Sequence, residues 1–288
     1  MDPDTYTSKI AGLRATLARS HIELDTEPVI QSCHGQDMKG CVTCQLASRL
    51  STANVDPEMI DGVSIAFATY PSKVLEAAKL EHVALCRQIR QTGATGETGK
   101  DEHWPAGVAI IDDHRMLVSV EDFVGVEHVY AYFTIEQVVH HELFHFLDYV
   151  RLGDKVNTDT EWHALNASDF AYRDPAPVAD RPKGFVNSYA TTNEVEDRAS
   201  TFEYLMGQPA RLCEMALTDP IVRAKTIVVW KRVAAVTGDA LLKQHARCVD
   251  WIGGGGLKLA PRPPPKQPKA KPTFRLPTSP TSLVGKMR

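Results

Sequence analysis

The sequence predicts an α+β fold in which a small mixed β-sheet packs on one long amphipathic helix and a helical lobe follows. Short apolar segments typical of strands occur at 62–70, 107–112 and 116–120. Apolar residues recur at helical spacing over 134–150, and further helical patterns follow residue 193. The 288 residues, 43% of them hydrophobic, suffice for a sizeable core.

The remaining elements are assigned from periodicity and from residues that start or stop helices. A helix is expected near 10–18. A second is expected to begin near Pro71, because apolar residues continue at roughly helical spacing as far as Ile89. The helices of the C-terminal lobe are predicted at 193–206, 209–217, 221–237 and 240–251.

Composition divides the chain into three predicted segments: an N-terminal extension with clustered cysteines (1–60), a main domain (61–252), and a disordered basic tail (253–288). From Pro261 onward there are seven Lys or Arg, eight prolines and no acid, which is typical of disorder. The rest of the chain carries 25 basic and 36 acidic residues, a net charge of −11. An acidic body with a basic tail does not fit a nucleic-acid-binding domain.

Localisation is predicted from what the sequence lacks. No apolar window of about eighteen residues indicates a membrane span. The first twenty residues lack the apolar core of a secretory signal peptide. With six scattered cysteines, a reducing cytoplasmic location is the default. Secretion into a host cell by a route that reads no such signal is the alternative.

The segment TIEQVVHHELFHFLDYV (134–150) contains a metal-binding motif. His141 and His145 are four residues apart, so on a helix they share a face and can converge on one ion. Glu142 lies between them, where its carboxylate can take a proton from water at that ion. This HExxH arrangement is typical of zinc hydrolases.

The residues around the motif support a helix. Thr134 and Gln137 fit a capping box that begins it. His140 points about 100° away from His141 and is expected to be a packed or surface histidine. Asp148 has three interpretations: a carboxylate that orients a ligand histidine, a structural or surface acid, or a third ligand.

A catalytic zinc site needs a third protein ligand, and the sequence offers several candidates. His163 is one. The others are Glu194, Glu196 and Asp197, which fall in the first turn of a helix that Asn193 can cap. Acids in a first turn also complement the helix dipole, so a purely structural role is the alternative.

HELFHFLD followed some fifty residues later by YATTNEVE resembles the gluzincin metallopeptidases related to anthrax lethal factor. The resemblance covers about 134–206 and implies a zincin-like fold. It implies that Glu196 is the third zinc ligand beside His141 and His145, and that Tyr189 hydrogen-bonds the developing oxyanion or the leaving group. This chain departs from lethal factor at Ser200, where that protein has another carboxylate.

These observations predict a zinc-dependent endopeptidase that cleaves a protein substrate, with secreted effectors or toxins as one form of that function. The substrate is expected to lie extended along an edge strand, for which 116–120 is the candidate. The alternative is a non-catalytic, zinc-stabilised interaction protein that recruits partners through its Pro-rich tail. The general base at Glu142 argues against that alternative, because a structural zinc site needs none.

The cysteine cluster has three interpretations. Cys41 and Cys44 have zinc-ligand spacing, and Cys33 or His34 could complete a structural site. A thiolate from this segment could instead block the catalytic ion, or the residues could be ordinary thiols.

The tail carries a candidate binding motif for another protein. Arg262, Pro265 and Pro268 stand in the order of a polyproline ligand for SH3-type domains. A solvated low-complexity tail is the alternative.

Overall fold

The computed structural model describes residues 3–25, 29–33, 41–46, 57–92, 102–103, 105–120, 134–168, 170–172, 181–238 and 241. The tail at 253–288, with its SH3-type motif, and most of the helix predicted at 240–251 lie outside these residues. The helices are α1 (Pro3–Ala18), α2 (Pro57–Ala68), α3 (Ser72–Ala78), α4 (Ile135–Leu152), α5 (Thr160–His163), α6 (Glu194–Gly207), α7 (Pro209–Thr218) and α8 (Pro220–Thr237). The strands are β1 (Glu23–Leu24), β2 (Val29–Cys33), β3 (Cys41–Leu46), β4 (His82–Thr92), β5 (Glu102–His103), β6 (Gly107–Ile110) and β7 (Arg115–Ser119).

The strands form one mixed sheet in the order β2-β3-β4-β7-β6, with β1 and β5 also paired to β4. The long strand β4 is the centre of this sheet. It runs parallel to β1 and β7 and antiparallel to β3 and β5. β6 pairs antiparallel with β7. The described elements therefore confirm the predicted α+β class.

Alternate side chains of the central strands enter two separate cores. Val83 and Leu85 of β4, with Met116 of β7, pack among the buried side chains of the helices. Ala84 and Cys86 point to the opposite face, into a smaller cluster with β2, β3 and β6. The sheet is thus buried on both faces, and its helix-facing side supports α4.

The C-terminal lobe is built around α6. All of residues 197–206 are buried, so this helix is surrounded by other elements rather than lying on the surface. It packs against α4, α7 and α8. Phe144 of α4 and Phe202 of α6 stack with ring centroids 5.0 Å apart. The two helices that carry the candidate ligands are therefore packed side by side.

The predicted strand at 62–70 is wrong, because this segment belongs to α2 and the turn after it. Its residues have high strand propensity, but the buried positions recur at helical spacing, at Ile60, Val63, Phe67 and Tyr70. Ile65, on the opposite side, is 59% exposed. Tertiary packing of one helical face overrides the local propensity.

The helix predicted from Pro71 to Ile89 is only partly correct. α3 ends at Ala78, where Lys79 takes a left-handed conformation with φ of 57°. The chain then turns into β4 at His82. Because β4 is buried on both faces, its apolar residues are not confined to alternate positions, and the strand period is hidden.

The described parts of residues 1–60 do not form a separate extension. β1, β2 and β3 belong to the sheet that contains β4 and β7. Leu13 and Leu17 of α1 are fully buried in the main core. The described parts of this segment therefore share the sheet and the core of the residues that follow it.

Four cysteines of the described part of the chain are in disulfides, which corrects both the zinc-ligand and the thiol interpretations of Cys44. Cys44 of β3 is bonded to Cys86 of β4 across the buried face of the sheet. Cys41 and Cys213 are disulfide-bonded as well. Neither Cys41 nor Cys44 is therefore a thiolate that could bind or block a metal.

None of the described helices is long and apolar enough to cross a membrane.

Candidate metal centre

α4 begins with the predicted capping box. The Thr134 side chain accepts from the backbone N–H of Gln137, and the Gln137 side chain accepts from the backbone N–H of Thr134. Most of the helix is buried between the sheet and α6. This packing fixes the direction in which the motif side chains point.

His140 faces away from the candidate metal ligands, as predicted. It is buried, and its Nδ1 atom lies 2.7 Å from the hydroxyl oxygen of Tyr70. The two rings meet edge to face. His140 therefore packs α4 against the end of α2.

His141, His145 and Glu196 come together although Glu196 is 55 residues from His141 in the sequence. The Nε2 atom of His141 lies 2.8 Å from Oε2 of Glu196, and that of His145 lies 3.7 Å from the same oxygen. One ligand atom from each residue lies within 4.8 Å of the others. Three donors at this separation fit a tetrahedral zinc site with one further position.

The N-terminus of α6 places Glu196. Asn193 caps the helix, and its side chain accepts from the backbone N–H of Glu196 at 2.9 Å. The other candidates are engaged elsewhere: Asp197 pairs with Lys225 at 2.6 Å, and Glu194 accepts from a backbone N–H. His163 does not belong to the group, which is the metal-binding cluster found among the described residues.

The three residues of the cluster shift one another's pKa values. Burial would raise the pKa of Glu196, but the two histidines outweigh it and lower that pKa to about 2. Burial lowers the pKa of His145 to about 4, so this imidazole is neutral and able to ligate. Burial also opposes charge on His141, but hydrogen bonds to Glu196 and Glu203 raise its pKa well above the ordinary value.

Glu142 lies between α4 and β6. Burial raises its pKa to about 7, although the backbone N–H of Ala109 donates to its carboxylate and opposes that rise. Gly107 leaves room for it, since a Cβ atom at Gly107 would lie 2.6 Å from Cγ of Glu142. A carboxylate with a pKa near neutrality is suited to accept and return a proton.

Tyr189 stands at the start of a short 3-10 turn (Tyr189–Thr191) just before α6. Its side chain is 38% exposed, and its ring lies 5.8 Å from that of His141. A hydrogen bond from its hydroxyl to Glu196 helps to lower the pKa of that acid. Asn187 holds the turn by accepting from the backbone N–H of Ala190 at 2.8 Å.

Asp148 does not bond a ligand histidine. It is buried, and its Oδ2 atom accepts from Nε of Arg198 at 2.7 Å. Arg198 lies on α6, is also buried, and donates to the backbone carbonyl of Val156. The expected orienting contact is thus replaced by an ion pair between α4 and α6.

Sequence reasoning missed the carboxylate that does contact a ligand. Oε2 of Glu203 lies 3.1 Å from Nδ1 of His141, and its Oε1 accepts from Nε2 of Gln137 at 2.9 Å. The available signal was position: Glu203 follows Glu196 by seven residues, or two helical turns, so the two acids share one face of the helix. A buried acid on such a helix requires partners.

The expected edge strand at 116–120 is also corrected. β7 lies between β4 and β6 and is therefore an interior strand. Among the described strands, β6 stands at the end of the strand order, next to β7. At Gly107, one face of β6 lies against Glu142 of α4.

Comparisons with protein-family models and with curated proteins each find no match for this chain. A solved structure from Bacteroides caccae, provisionally named a zinc-binding metallo-peptidase, is similar to the chain at a TM-score of 0.45 and 15% sequence identity. The match covers 88% of this chain and 96% of that one.

Proposed function

We propose that the chain is a zinc-dependent endopeptidase that hydrolyses peptide bonds in a protein substrate. The observation that supports this most directly is the convergence of His141, His145 and Glu196 beside the buried carboxylate of Glu142. A structural metal site has no use for an additional buried acid beside its ligands. The resemblance of the two motifs to gluzincins supports the same reaction.

His141 and His145 would hold zinc through Nε2, and Glu196 through its carboxylate. When bound, zinc supplies Lewis-acid chemistry: it makes water more acidic and polarises a carbonyl. Glu142 takes the proton from the attacking water and delivers it to the leaving amine nitrogen. The Tyr189 hydroxyl donates a hydrogen bond to the negative charge that develops on the former carbonyl oxygen.

The substrate would bind as an extended strand along β6 rather than along β7. Ala106 and Val108 face β7, since the carbonyl of Ala106 accepts from the backbone N–H of Ser119. Gly107 and Ala109 then direct their main-chain groups to the other side, where Ala109 already donates to Glu142. A peptide added at this edge would pass beside the general base.

Cleavage of a broad peptide library by the full chain tests the proposal. Zinc-loaded wild type should cleave, and a chelator should stop the reaction. Glu142→Ala should keep one equivalent of zinc and lose activity on the order of 10²–10⁴-fold, because the general base is removed. A fully active Glu142→Ala protein would overturn the mechanism.

The neighbouring histidines His140 and His141 provide a matched pair of variants for zinc binding. His141→Gln should abolish stoichiometric zinc binding, whereas His140→Gln should retain it, because His140 contacts Tyr70 and not the cluster. If wild type binds zinc but cleaves nothing, the chain is instead a zinc-stabilised interaction protein. An SH3-domain array probed with a peptide containing Arg262, Pro265 and Pro268 then tests whether the tail recruits partners.

Substrates can be identified by N-terminal proteomics of host cells that express wild type or Glu142→Ala. New protein termini found only with wild type would support a role as an effector or toxin. Cleavage confined to synthetic peptides would argue against that role.

A further inference from the structure

Lys225 of α8 is a buried lysine with three different partners. Its side chain is 1% exposed. The ammonium nitrogen Nζ lies 2.6 Å from Oδ2 of Asp197 and donates to the backbone carbonyl of Gly184 at 2.8 Å. It also lies 3.7 Å from the centre of the Phe185 ring, which is a cation–π contact. A lysine ammonium carries three N–H donors, so three partners match its capacity.

One partner of Lys225 belongs to the segment that leads to Tyr189. Gly184 is held through both of its main-chain groups, because its N–H donates to Oδ2 of Asp219 at 2.8 Å and its carbonyl accepts from Lys225. Its φ of +86° is a conformation that glycine adopts without steric cost. Phe185, the next residue, is buried in the main core. The segment that reaches Tyr189 five residues later is therefore anchored at Gly184.

Another partner belongs to the helix that carries Glu196. Asp197 is the next residue of α6, and consecutive residues of a helix point about 100° apart, so its carboxylate faces away from the ligand cluster. The oxygen that meets Lys225 also accepts from Nε1 of Trp162 at 3.0 Å and from the hydroxyl of Tyr172 at 2.9 Å. These two donors hold the first turn of α6 independently of the lysine.

These contacts form a closed circuit that passes through the candidate metal centre. Lys225 bonds Gly184 and Asp197, and the hydroxyl of Tyr189 hydrogen-bonds Glu196, the neighbour of Asp197. We propose that Lys225 is a positioning residue that fixes the segment before Tyr189 relative to α6 and so holds the tyrosine hydroxyl at the metal centre. The inference deepens the proposed function and rests on it, because it explains how the hydroxyl donor of that reaction is placed.

Burial of the cation is costly unless it has a use. Removing an ammonium group from water carries a large penalty, and a buried ion pair often stabilises a fold no more than apolar residues of similar volume do. Leucine or methionine would therefore fill this position of α8 equally well. An apolar side chain lacks a donor for the carbonyl of Gly184, and that contact is the one that leads to Tyr189.

The test compares kcat of full-chain variants at saturating zinc. Lys225→Met keeps the length of the side chain and removes its donors, but it leaves Asp197 buried without a cation. The double variant Lys225→Met with Asp197→Asn removes both charges and keeps the packing, so it separates lost positioning from an unpaired charge. We expect kcat of the double variant to fall ~10–100-fold, because small displacements of catalytic groups reduce the rate strongly.

A third substitution distinguishes positioning from a general loss of structure. If Lys225 acts through Tyr189, the same double substitution should cause no further loss of kcat in a Tyr189→Phe background. An equal loss in both backgrounds would overturn the proposal. Arg232→Met is the control, because it removes another buried cation of α8, which pairs with Asp159 and not with the segment before Tyr189. Its kcat should equal that of wild type.

Zinc affinity of the full chain, measured by competition with a chromogenic chelator, provides a readout independent of cleavage. It should stay close to the wild-type value in the double variant, because Trp162 and Tyr172 still hold α6. A loss of zinc affinity that accounts for the loss of kcat would place the effect at Glu196 and overturn the assignment to Tyr189.

NMR of metal-free protein with isotope-labelled tyrosine tests the position of Tyr189 directly. Its resonance, assigned with Tyr189→Phe, should shift in the double variant of Lys225 and Asp197 and stay unchanged in Arg232→Met. An unchanged resonance in the double variant would overturn the inference and leave the proposed function intact. Wild type that binds zinc but cleaves nothing would overturn the proposed function, and the resonance would then decide the inference alone.

Discussion

Gly107 leaves the space that the side chain of Glu142, the proposed general base, occupies. A Cβ atom there would lie 2.6 Å from Cγ and 2.8 Å from Oε1 of Glu142. Gly107→Ala should therefore displace the carboxylate and lower kcat by at least ~10-fold, because small displacements of reacting groups reduce the rate strongly. Zinc should stay bound. Steady-state kinetics with zinc quantification would check this.

Gly12 is the matched control for that substitution. A Cβ atom at Gly12 would have no neighbour within 4 Å on the exposed side of α1. Gly12→Ala should leave kcat unchanged and stabilise the helix by up to ~1 kcal/mol. Equal kcat values in the two variants would show that Gly107 does not constrain Glu142.

Tyr189 offers a second prediction at this scale. Tyr189→Phe removes only the hydroxyl and should leave zinc binding intact. If the phenol stabilises the developing oxyanion, kcat should fall on the order of 10²–10³-fold with little change in KM. A change confined to KM would instead assign Tyr189 to substrate binding.

Local spacing determined which site residues the sequence could predict. His141, Glu142 and His145 are readable because four residues nearly complete one helical turn. Glu196 required a resemblance, since the packing of α4 on α6 that joins it to His141 cannot be calculated from spacing. Glu203 was not predicted, because its partner is known only once the two helices are placed together.

The contact between α4 and α6 is also held by Asp148 and Arg198. Asp148→Asn should destabilise the protein by ~1–3 kcal/mol, because the buried guanidinium of Arg198 loses its closer carboxylate and keeps only that of Asp159, 3.4 Å away. Zinc affinity should stay at the wild-type value, since Asp148 bonds no ligand. Urea unfolding and the chelator competition measure the two quantities separately. Weaker zinc binding without loss of stability would restore the orienting role predicted from sequence.

The elements that were predicted incorrectly lie where local preference and tertiary burial disagree. The residues of α2 after Gly62 include several with strand propensity, yet one face of the segment is buried against α1 and α4. β4 is buried on both faces, so its apolar residues do not alternate with polar ones, and their spacing was interpreted as helical. Helices that begin at a capping residue or a proline, such as α4, α7 and α8, were predicted nearly to the residue.

At the scale of the whole molecule, the disulfide joins the N-terminal strands to the centre of the sheet. Cys44 and Cys86 close a loop with a sequence separation of 42. Replacing both with Ala should cost ~2–5 kcal/mol of unfolding free energy, largely because the unfolded chain gains freedom. Thermal or denaturant unfolding of the double variant against wild type measures this.

Peptide mapping without reduction provides the control for that prediction. Protein secreted through an oxidising compartment should yield a peptide pair linked through Cys44 and Cys86. Quantitative alkylation of both residues in such protein would contradict the disulfide and show that both are free thiols.

The strand edge offered by β6 has a consequence for the behaviour of the protein in solution. An unpaired strand edge can pair with an extended segment of another copy, which is how sheets aggregate. β6 is only four residues long, and one face of it lies against Glu142 of α4 at Gly107. So short an edge gives a second copy few main-chain groups to pair with, so concentrated protein should resist fibril formation despite displaying a strand.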